Sequence, residues 1–165
     1  MAKKKKRMAK TMPMRALEQK GIPFEVHQHA HKQVTAEGVA EDLGIPVAQV
    51  LKAMIVQRSD RQFVLVVVPG DRRLSLKKVG AALDDKNVQL AAERDVQRVT
   101  GYQVGAVSVL GFRRTDVPAY VDQHVMDLEQ AVISAGAPVA GLALSPDALM
   151  KALEGAVVGD FCEDV

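Results

Sequence analysis

Two apolar runs joined by a short polar segment constrain the fold of this chain more than any other feature. The first run is KAMIVQ at positions 52–57, the second is QFVLVVV at positions 62–68, and RSDR lies between them. Two β-prone runs separated by a few turn-forming residues predict a β-hairpin. Because FVLVVV contains no polar residue and Pro69-Gly70 follows it directly, we expect a buried hairpin that ends there.

Shorter patterns on both sides of the hairpin predict further helices and strands. Thr35, Ser75 and Ser145 are residue types that cap helix N-termini, and proline follows Ser145 at the first helical position. Helices are expected at 14–20, 36–43, 76–83, 93–98 and after 145, strands at 22–31, 87–90, 119–122, 131–134 and 142–144, and a loop feeding a strand in TGYQVGAVSVLG at 100–111. Short strands mixed irregularly with helices favour a single α+β domain with a mixed sheet.

Length and composition exclude several classes of protein. At 165 residues with 48% apolar side chains, the chain has enough material for one core. No apolar segment approaches the roughly 18 residues that a membrane helix needs, and none follows Lys3–Arg7 as it would in a secretory signal. Cys162 is the single cysteine, so neither an intrachain disulfide nor a cysteine cluster for a metal is available. We therefore expect a cytoplasmic protein that does not contact membranes.

The basic residues are concentrated at the N-terminus. Six of the 22 lie in the first ten positions, which contain no acidic residue, so the remaining 16 face 20 acidic residues. We predict a disordered basic arm at 1–13 and a mildly acidic domain at 14–165. The arm either keeps the protein soluble or attracts phosphate groups in a salt-sensitive way.

Lys52 is the only cation on an otherwise apolar strand face. Side chains alternate along a strand, so Val50, Lys52, Met54 and Val56 point the same way. An ammonium group is costly to bury without a partner. Either the lysine stem lies on the sheet while its amine reaches water, or the amine is a pocket-floor cation that binds a carbonyl, carboxylate or phosphate oxygen.

Three alternating histidines, at 27, 29 and 31, suggest a metal site on a strand. His27 and His31 would lie about 13 Å apart along a strand, which is too far to share one ion. No convincing third ligand is identifiable for a pair of them. We therefore expect no metal and a solvated or half-buried polar face instead.

The motifs of nucleotide cofactors and of covalent hydrolases are absent from the sequence. It has neither a Gly-Lys-Ser phosphate loop nor a dinucleotide glycine fingerprint, so no cofactor is expected. Ser108 and Ser134 lack a nucleophile-elbow context. Cys162 lies among acidic C-terminal residues, which we expect to raise the pKa of its thiol and to disfavour the thiolate.

The glycines of TGYQVGAVSVLG indicate a place where a ligand can approach the backbone. Gly101, Gly105 and Gly111 are closely spaced beside a predicted strand. Backbone N–H groups in such a segment can hold an oxyanion, although an ordinary bulge and turn fits the same pattern. The arginines of the turn VPGDRR at 68–73 could likewise contact phosphates or simply be exposed.

Four segments in this order resemble the YbaK / prolyl-tRNA-synthetase-associated editing-domain family. They are VLKAMIV, VVVPGDRRLSLKKVGAAL, TGYQVGAVSVLG and SPDALMKAL, and the likeness extends from about Met14 to Asp160. The resemblance implies a mixed, mostly antiparallel, barrel-like sheet surrounded by helices. It also implies a pocket that hydrolyses the ester between a wrong amino acid and tRNA, with tRNA and prolyl-tRNA synthetase as partners.

The resemblance assigns roles to particular residues. Lys52 falls on the essential lysine of the family and Gly105 on the first glycine of its Gly-x-x-x-Pro substrate loop. Lys52 would thus anchor and polarise the aminoacyl-adenosine end, with no metal and no nucleophilic side chain. The residues expected to line or support the substrate site are Gly101, Gly105, Ala106, Ser108, Ala53 and His29.

Departures from the family pattern leave the substrate open. Ala53 replaces the threonine typical of cysteine-removing members, His29 lies near an expected tyrosine, and Val109 replaces the proline of the loop. We expect trans-editing of Cys-tRNA(Pro), or of tRNA carrying another small residue such as alanine. The alternative is a catalytically weak module of the same fold that binds tRNA or a synthetase.

Overall fold

A computed structural model describes residues 8–29 and 31–165, so most of the predicted basic arm, residues 1–7, lies outside the described residues. The helices are α1 Met12–Gln19, α2 Ala36–Leu43, α3 Leu76–Leu83, α4 Glu93–Thr100 and α5 Pro146–Ala152. The strands are β1 Glu25–Gln28, β2 Lys52–Gln57, β3 Phe63–Val68, β4 Gln89–Leu90, β5 Ala119–Asp122, β6 Ala131–Ser134, β7 Ala140–Leu144 and β8 Val157–Gly159. This order confirms the predicted single α+β domain.

The strands form two open sheets. One contains β1, β7 and β6 in that order, and the other contains β4, β2, β3, β5 and β8. Four of the pairings are antiparallel, and β5 pairs in parallel with β3 and β8. The mixed, mostly antiparallel sheet is therefore confirmed, but the barrel-like closure is wrong. Only an isolated bridge between Val50 and Val132 joins the two sheets among the described residues, so the edges remain open instead of closing into a barrel.

The hairpin of β2 and β3 forms the centre of the domain. β3 is buried along its whole length because apolar clusters cover both of its faces. The side chains at 63, 65 and 67 face a cluster shared with the three-stranded sheet, α1 and α5. Those at 64, 66 and 68 face a second cluster closed by α3 and by Phe161 and Cys162. The uninterrupted apolar run FVLVVV is thus the pattern of a strand buried on both sides.

The predicted caps fix where three helices begin. The side chains of Thr35, Ser75 and Ser145 each accept a hydrogen bond from a backbone N–H in the first turn. Gly44 ends α2 in the left-handed conformation (φ +65°), as glycine at this position commonly does. None of the helices in the described ranges is long and apolar enough to span a lipid bilayer.

Two predicted strands differ from the structure. β1 stops at Gln28, not at His31: its last pair is Gln28–Ala140, and beyond it, among the described residues, only the N–H of His29 continues the pattern, by donating to the carbonyl of Val139. TGYQVGAVSVLG does not lead directly into a strand. Arg113 and Arg114 donate backbone hydrogen bonds to the end of α4, so the chain folds back on that helix before β5.

Candidate active site

A pocket of about 540 Å³ lies between the two sheets. Its lining comes from five segments that are distant in sequence, within 29–39, 50–55, 90–96, 104–107 and 132–141. Pockets of this size, mostly apolar with a few polar groups, are typical of small-molecule sites. The polar side chains on its wall belong to His29, Gln33, Thr35, Glu37, Lys52, Glu93 and Ser134.

Lys52 contributes the only lysine or arginine side chain to the described lining of the pocket. It is the first residue of β2 and is partly buried. Its Nζ donates a hydrogen bond to the carbonyl oxygen of Arg72, in the turn after β3 (2.5 Å). The amine therefore does not simply extend into water. An ammonium group has three donors, so the bond to Arg72 leaves two for a ligand.

The edge of β2 beside the pocket has an unpaired stretch around Ala53. On this edge the N–H of Leu51 bonds to Val132 and the carbonyl of Ile55 accepts from Ala91. Backbone groups alternate along an antiparallel strand, so the N–H and C=O of Ala53 point to the same edge. No strand of the described chain pairs with Ala53 there. The pocket wall therefore offers a backbone donor and acceptor next to Lys52.

Gly105 forms the opposite lip of the pocket. Its φ of +90° lies in the region that favours glycine, and a Cβ placed on it would be 2.8 Å from Cγ1 of Val34. The two residues therefore contact across the pocket mouth. Both Val34 and Val104 are more than half exposed, so this rim presents apolar side chains to whatever enters.

His29 also lines the pocket, but the other histidines of the predicted strand do not join it. Nδ1 of His29 lies 3.1 Å from the carbonyl oxygen of His31, and His27 approaches Glu25 at 3.4 Å. Within the described ranges, no three or more His, Cys, Asp or Glu side chains are grouped so that they could hold a metal ion.

Three other predicted substrate residues lie outside the pocket lining, in the loop that carries Gly105 or where that loop begins. Gly101 ends α4 with φ +83° and packs beside Arg113. Ser108 is fully buried, and its Oγ donates to the carbonyl of Ser134 (2.6 Å). Ala106 is also buried, and its carbonyl accepts from Oγ of Ser134 (3.3 Å). These hydrogen bonds attach the 101–111 loop to β6.

Cys162 is held as an unreactive thiol, but for a different reason from the one expected. Burial, followed by the charge of Asp122, raises the pKa of its thiol to about 12. Asp122 is distant in sequence and reaches the thiol through the fold. The direction predicted from the sequence is confirmed, and its source is the interior of the domain.

Sequence patterns missed several residues of the pocket wall. The sequence around Ser134 has no nucleophile motif and gives it no other role, yet Ser134 lines the pocket and its Oγ donates to the carbonyl of Ala106 in the loop. Glu37 and Glu93 lie in the first turns of α2 and α4 and bring two carboxylates to the lining. The sequence predicts where both helices begin, but no local pattern indicates that Glu37 and Glu93 line the same cavity.

Comparisons with known proteins match this architecture. The family model of the aminoacyl-tRNA editing domain matches residues 27–152. The chain is 30% identical over 154 residues to EbsC of Enterococcus faecalis, provisionally named a Cys-tRNA(Pro)/Cys-tRNA(Cys) deacylase, covering 92% of this chain and 93% of EbsC. It is 38% identical over 101 residues to a proline–tRNA ligase of Desulforamulus reducens, covering 61% of this chain but only 17% of the ligase.

A solved structure shows the same fold over nearly the whole chain. It is described provisionally as a trans-editing enzyme for prolyl-tRNA synthetase, and it superposes with a TM-score of 0.84 at 27% identity. The match covers 93% of this chain and 96% of that one. Together with the family model, it confirms the resemblance to the YbaK / prolyl-tRNA-synthetase-associated editing domains. The chain therefore belongs to the aminoacyl-tRNA editing domain family.

Proposed function

We propose that the pocket removes a wrong amino acid from tRNA by cleaving its ester, with cysteine on tRNA(Pro) as the first candidate. Alanine or another small residue is the second. The observation that carries the proposal is that Lys52, Gly105 and Ser134, which are distant in sequence, line one pocket inside the region matched by the editing family. The names of EbsC and of the trans-editing structure support cysteine and tRNA(Pro) as the starting point.

The size of the pocket fits more than a small amino acid. At about 540 Å³ it has room for a short side chain together with the terminal nucleoside of tRNA. Apolar residues such as Val50, Val132 and Ile133 line it beside the polar groups. A short, weakly polar side chain therefore meets a matching wall, and the polar groups remain available for the ester.

The chemistry needs little from the protein because an aminoacyl ester is already activated. In the proposed reaction, water or a hydroxide adds to the ester carbonyl, the bond to the tRNA oxygen breaks, and that oxygen takes a proton. Lys52 and the N–H of Ala53 stabilise the negative charge that develops on the carbonyl oxygen. With a cysteinyl ester, attack by the substrate thiol on its own carbonyl releases the same tRNA hydroxyl, which is a lyase-type reaction.

Such a second site is useful because a synthetase pocket discriminates poorly between small side chains. One methylene contributes only about 1–3 kcal/mol of discrimination. Hydrolysis in a separate pocket adds a second selection. We propose tRNA, through its aminoacylated 3′ end, and prolyl-tRNA synthetase as partners, and we place the reaction in the cytoplasm, where charged tRNAs serve the ribosome.

The test is a deacylation assay with a panel of mischarged tRNAs, beginning with Cys-tRNA(Pro) and Ala-tRNA(Pro). We expect the wild-type protein to release the amino acid faster than buffer, and Lys52→Ala to lose most of that rate. Lys86→Ala, an exposed lysine outside the pocket lining, is the matched control. If Lys52→Ala cleaves as well as wild type, the proposal is wrong. Binding of tRNA without cleavage of any ester would favour the binding-module alternative.

A further inference from the structure

The amine of Lys52 is oriented by the main chain of a turn. Nζ of Lys52 donates a hydrogen bond to the carbonyl oxygen of Arg72. No carboxylate of the described residues lies within ion-pair distance of this lysine. The direction in which Lys52 points therefore depends on where the turn holds that carbonyl.

The turn at 69–75 is fixed from two sides. At its beginning, Gly70 packs so tightly that an added Cβ would lie 2.3 Å from the carbonyl oxygen of Val47 and 2.4 Å from that of Val50. At its end, the chain pairs with a segment near the C-terminus, which we call the C-terminal clasp and define as Phe161–Glu163. The carbonyl of Arg72 is thus placed between a backbone contact and a strand-like pairing.

The C-terminal clasp bonds to the residues that follow Arg72. The N–H of Ser75 donates to the carbonyl of Phe161 and the N–H of Glu163 donates to the carbonyl of Arg73, both at 2.8 Å. Leu74 and Cys162 form the bridge between these two bonds. Phe161 and Cys162 are almost completely buried, so the clasp is packed into the domain.

Asp122 ties the clasp down. Its carboxylate is fully buried at the end of β5, and Oδ1 accepts a hydrogen bond from the N–H of Phe161 (2.9 Å). Oδ2 accepts from the backbone N–H of His124 (3.0 Å) and lies 2.8 Å from its ring Nδ1. Hydrogen bonds to an ionised acceptor are among the stronger ones in proteins. A continuous series of contacts therefore leads from Asp122 to Lys52.

We propose that Asp122 is a positioning residue for Lys52, acting through the C-terminal clasp and the turn that carries the Arg72 carbonyl. This inference rests on the proposed function, because it takes Lys52 as the group that meets the substrate. Asp122 itself does not line the pocket. Its part is to hold the last residues of the domain where they keep the turn, and hence the amine, in one place.

The sharpest test removes one hydrogen bond of the clasp. Glu163→Pro deletes the N–H that donates to Arg73, whereas Glu163→Ala keeps it, and both variants remove the exposed carboxylate. With Cys-tRNA(Pro) as the probe, we expect kcat of Glu163→Pro to fall on the order of tenfold relative to Glu163→Ala, with KM nearly unchanged. Hydrogen exchange of the 70–75 segment should become faster in the proline variant only.

A second variant tests the anchor of the clasp. Asp122→Asn keeps the shape of the side chain but removes its charge, and we expect the same loss of kcat. Leu17→Ala, buried in α1 and outside the pocket lining, is the control for reduced stability. When it is assayed well below the melting temperatures of both the wild type and the variant, Leu17→Ala should retain the wild-type kcat.

The outcomes separate this inference from the proposed function. Equal kcat in Glu163→Pro and Glu163→Ala overturns the positioning role, and so does a rise in KM with kcat unchanged. If the proline variant folds poorly, Asp122→Asn decides, and a wild-type kcat there overturns it as well. If Lys52→Ala is fully active, the proposed function itself fails, and the inference fails with it.

Discussion

Replacing Gly105 by alanine tests whether the lip of the pocket controls the reaction. The residue has φ +90°, and the new Cβ would lie 2.8 Å from Cγ1 of Val34. An L-residue in this backbone region costs about 1–2 kcal/mol. Cβ of Val34 would also lie only 3.0 Å away, so the exposed Val34 has to shift as a whole residue, and it would shift at the pocket mouth. We therefore expect a modest loss of stability and a larger loss of activity.

A matched glycine separates the two effects. Gly155 has φ +77°, but nothing lies within 4 Å of its added Cβ, and it is outside the pocket lining. Gly155→Ala should reduce the free energy of unfolding by the same amount, about 1–2 kcal/mol, so both variants should melt roughly 2–8 °C below wild type. Only Gly105→Ala should slow deacylation, by about 10- to 100-fold if the loop moves by about 1 Å.

Thermal unfolding and single-turnover deacylation of Cys-tRNA(Pro) measure the two quantities separately. The double variant Gly105→Ala/Val34→Ala removes Cγ1 of Val34, the nearest atom to the new Cβ, but keeps Cβ of residue 34 at 3.0 Å and the strained φ. It should therefore remain destabilised and recover part of the rate. The reasoning is refuted if Gly105→Ala cleaves at the wild-type rate, or if Gly155→Ala slows the reaction as much.

Three further predictions concern charge and chemistry away from the lip. Burial alone raises the pKa of the Asp122 carboxyl, but hydrogen bonds from Phe161 and His124 outweigh it and hold that pKa below its ordinary value. The stability that this lowered pKa contributes is present above the ordinary pKa and is lost as the pH falls through the lowered value. In urea melts between about pH 5 and pH 2, the free energy of unfolding of Asp122→Asn should therefore depend less on pH than that of the wild type. Because the thiol of Cys162 is buried and its pKa is raised to about 12, it should resist alkylation in the native protein and react once urea unfolds the chain; rapid native labelling would contradict this. Deleting residues 1–7 should weaken tRNA binding and make the plot of log affinity against log salt concentration shallower. The slope should change by about 0.7–0.9 for each phosphate that the arm neutralises. An unchanged slope would show that the arm does not contact the tRNA phosphates.

The fold was largely predictable because its strongest determinants are local. The hairpin follows from two apolar runs and a polar turn, and β2 and β3 lie where these runs predict them. The starts of α2, α3 and α5 follow from side-chain caps that act within four residues. The alternation that predicts β1 continues in the sequence to His31, whereas the ladder stops at Gln28, opposite Ala140, far along the chain. A local pattern cannot show which residue a strand will face.

The pocket was predictable only in part, for the same physical reason. Lys52 and Gly105 were singled out by a cation among apolar residues and by closely spaced glycines, and both line the cavity. Ser134 and Glu93 carry no comparable local mark. They reach the cavity because Val132 bonds to Leu51 and Ala91 bonds to Ile55, hydrogen bonds that join segments tens of residues apart.

These two hydrogen bonds also explain why the site lies at β2. Just before β2, the chain bonds to β6 through Val50 and Leu51, and β2 itself pairs with β4 farther along the same edge. The gap between these two partners exposes the backbone of Ala53. A substitution at this position changes the side chain but leaves the N–H and C=O in place. Under the proposed function, alanine in place of the threonine typical of cysteine-removing relatives therefore leaves the backbone donor for the ester intact and alters the surface that meets the amino acid. The departure at Ala53 consequently bears on which residue is removed, and the panel of mischarged tRNAs assayed with Ala53→Thr measures it directly: the ratio of cysteine to alanine release should change more than the rate on the better substrate.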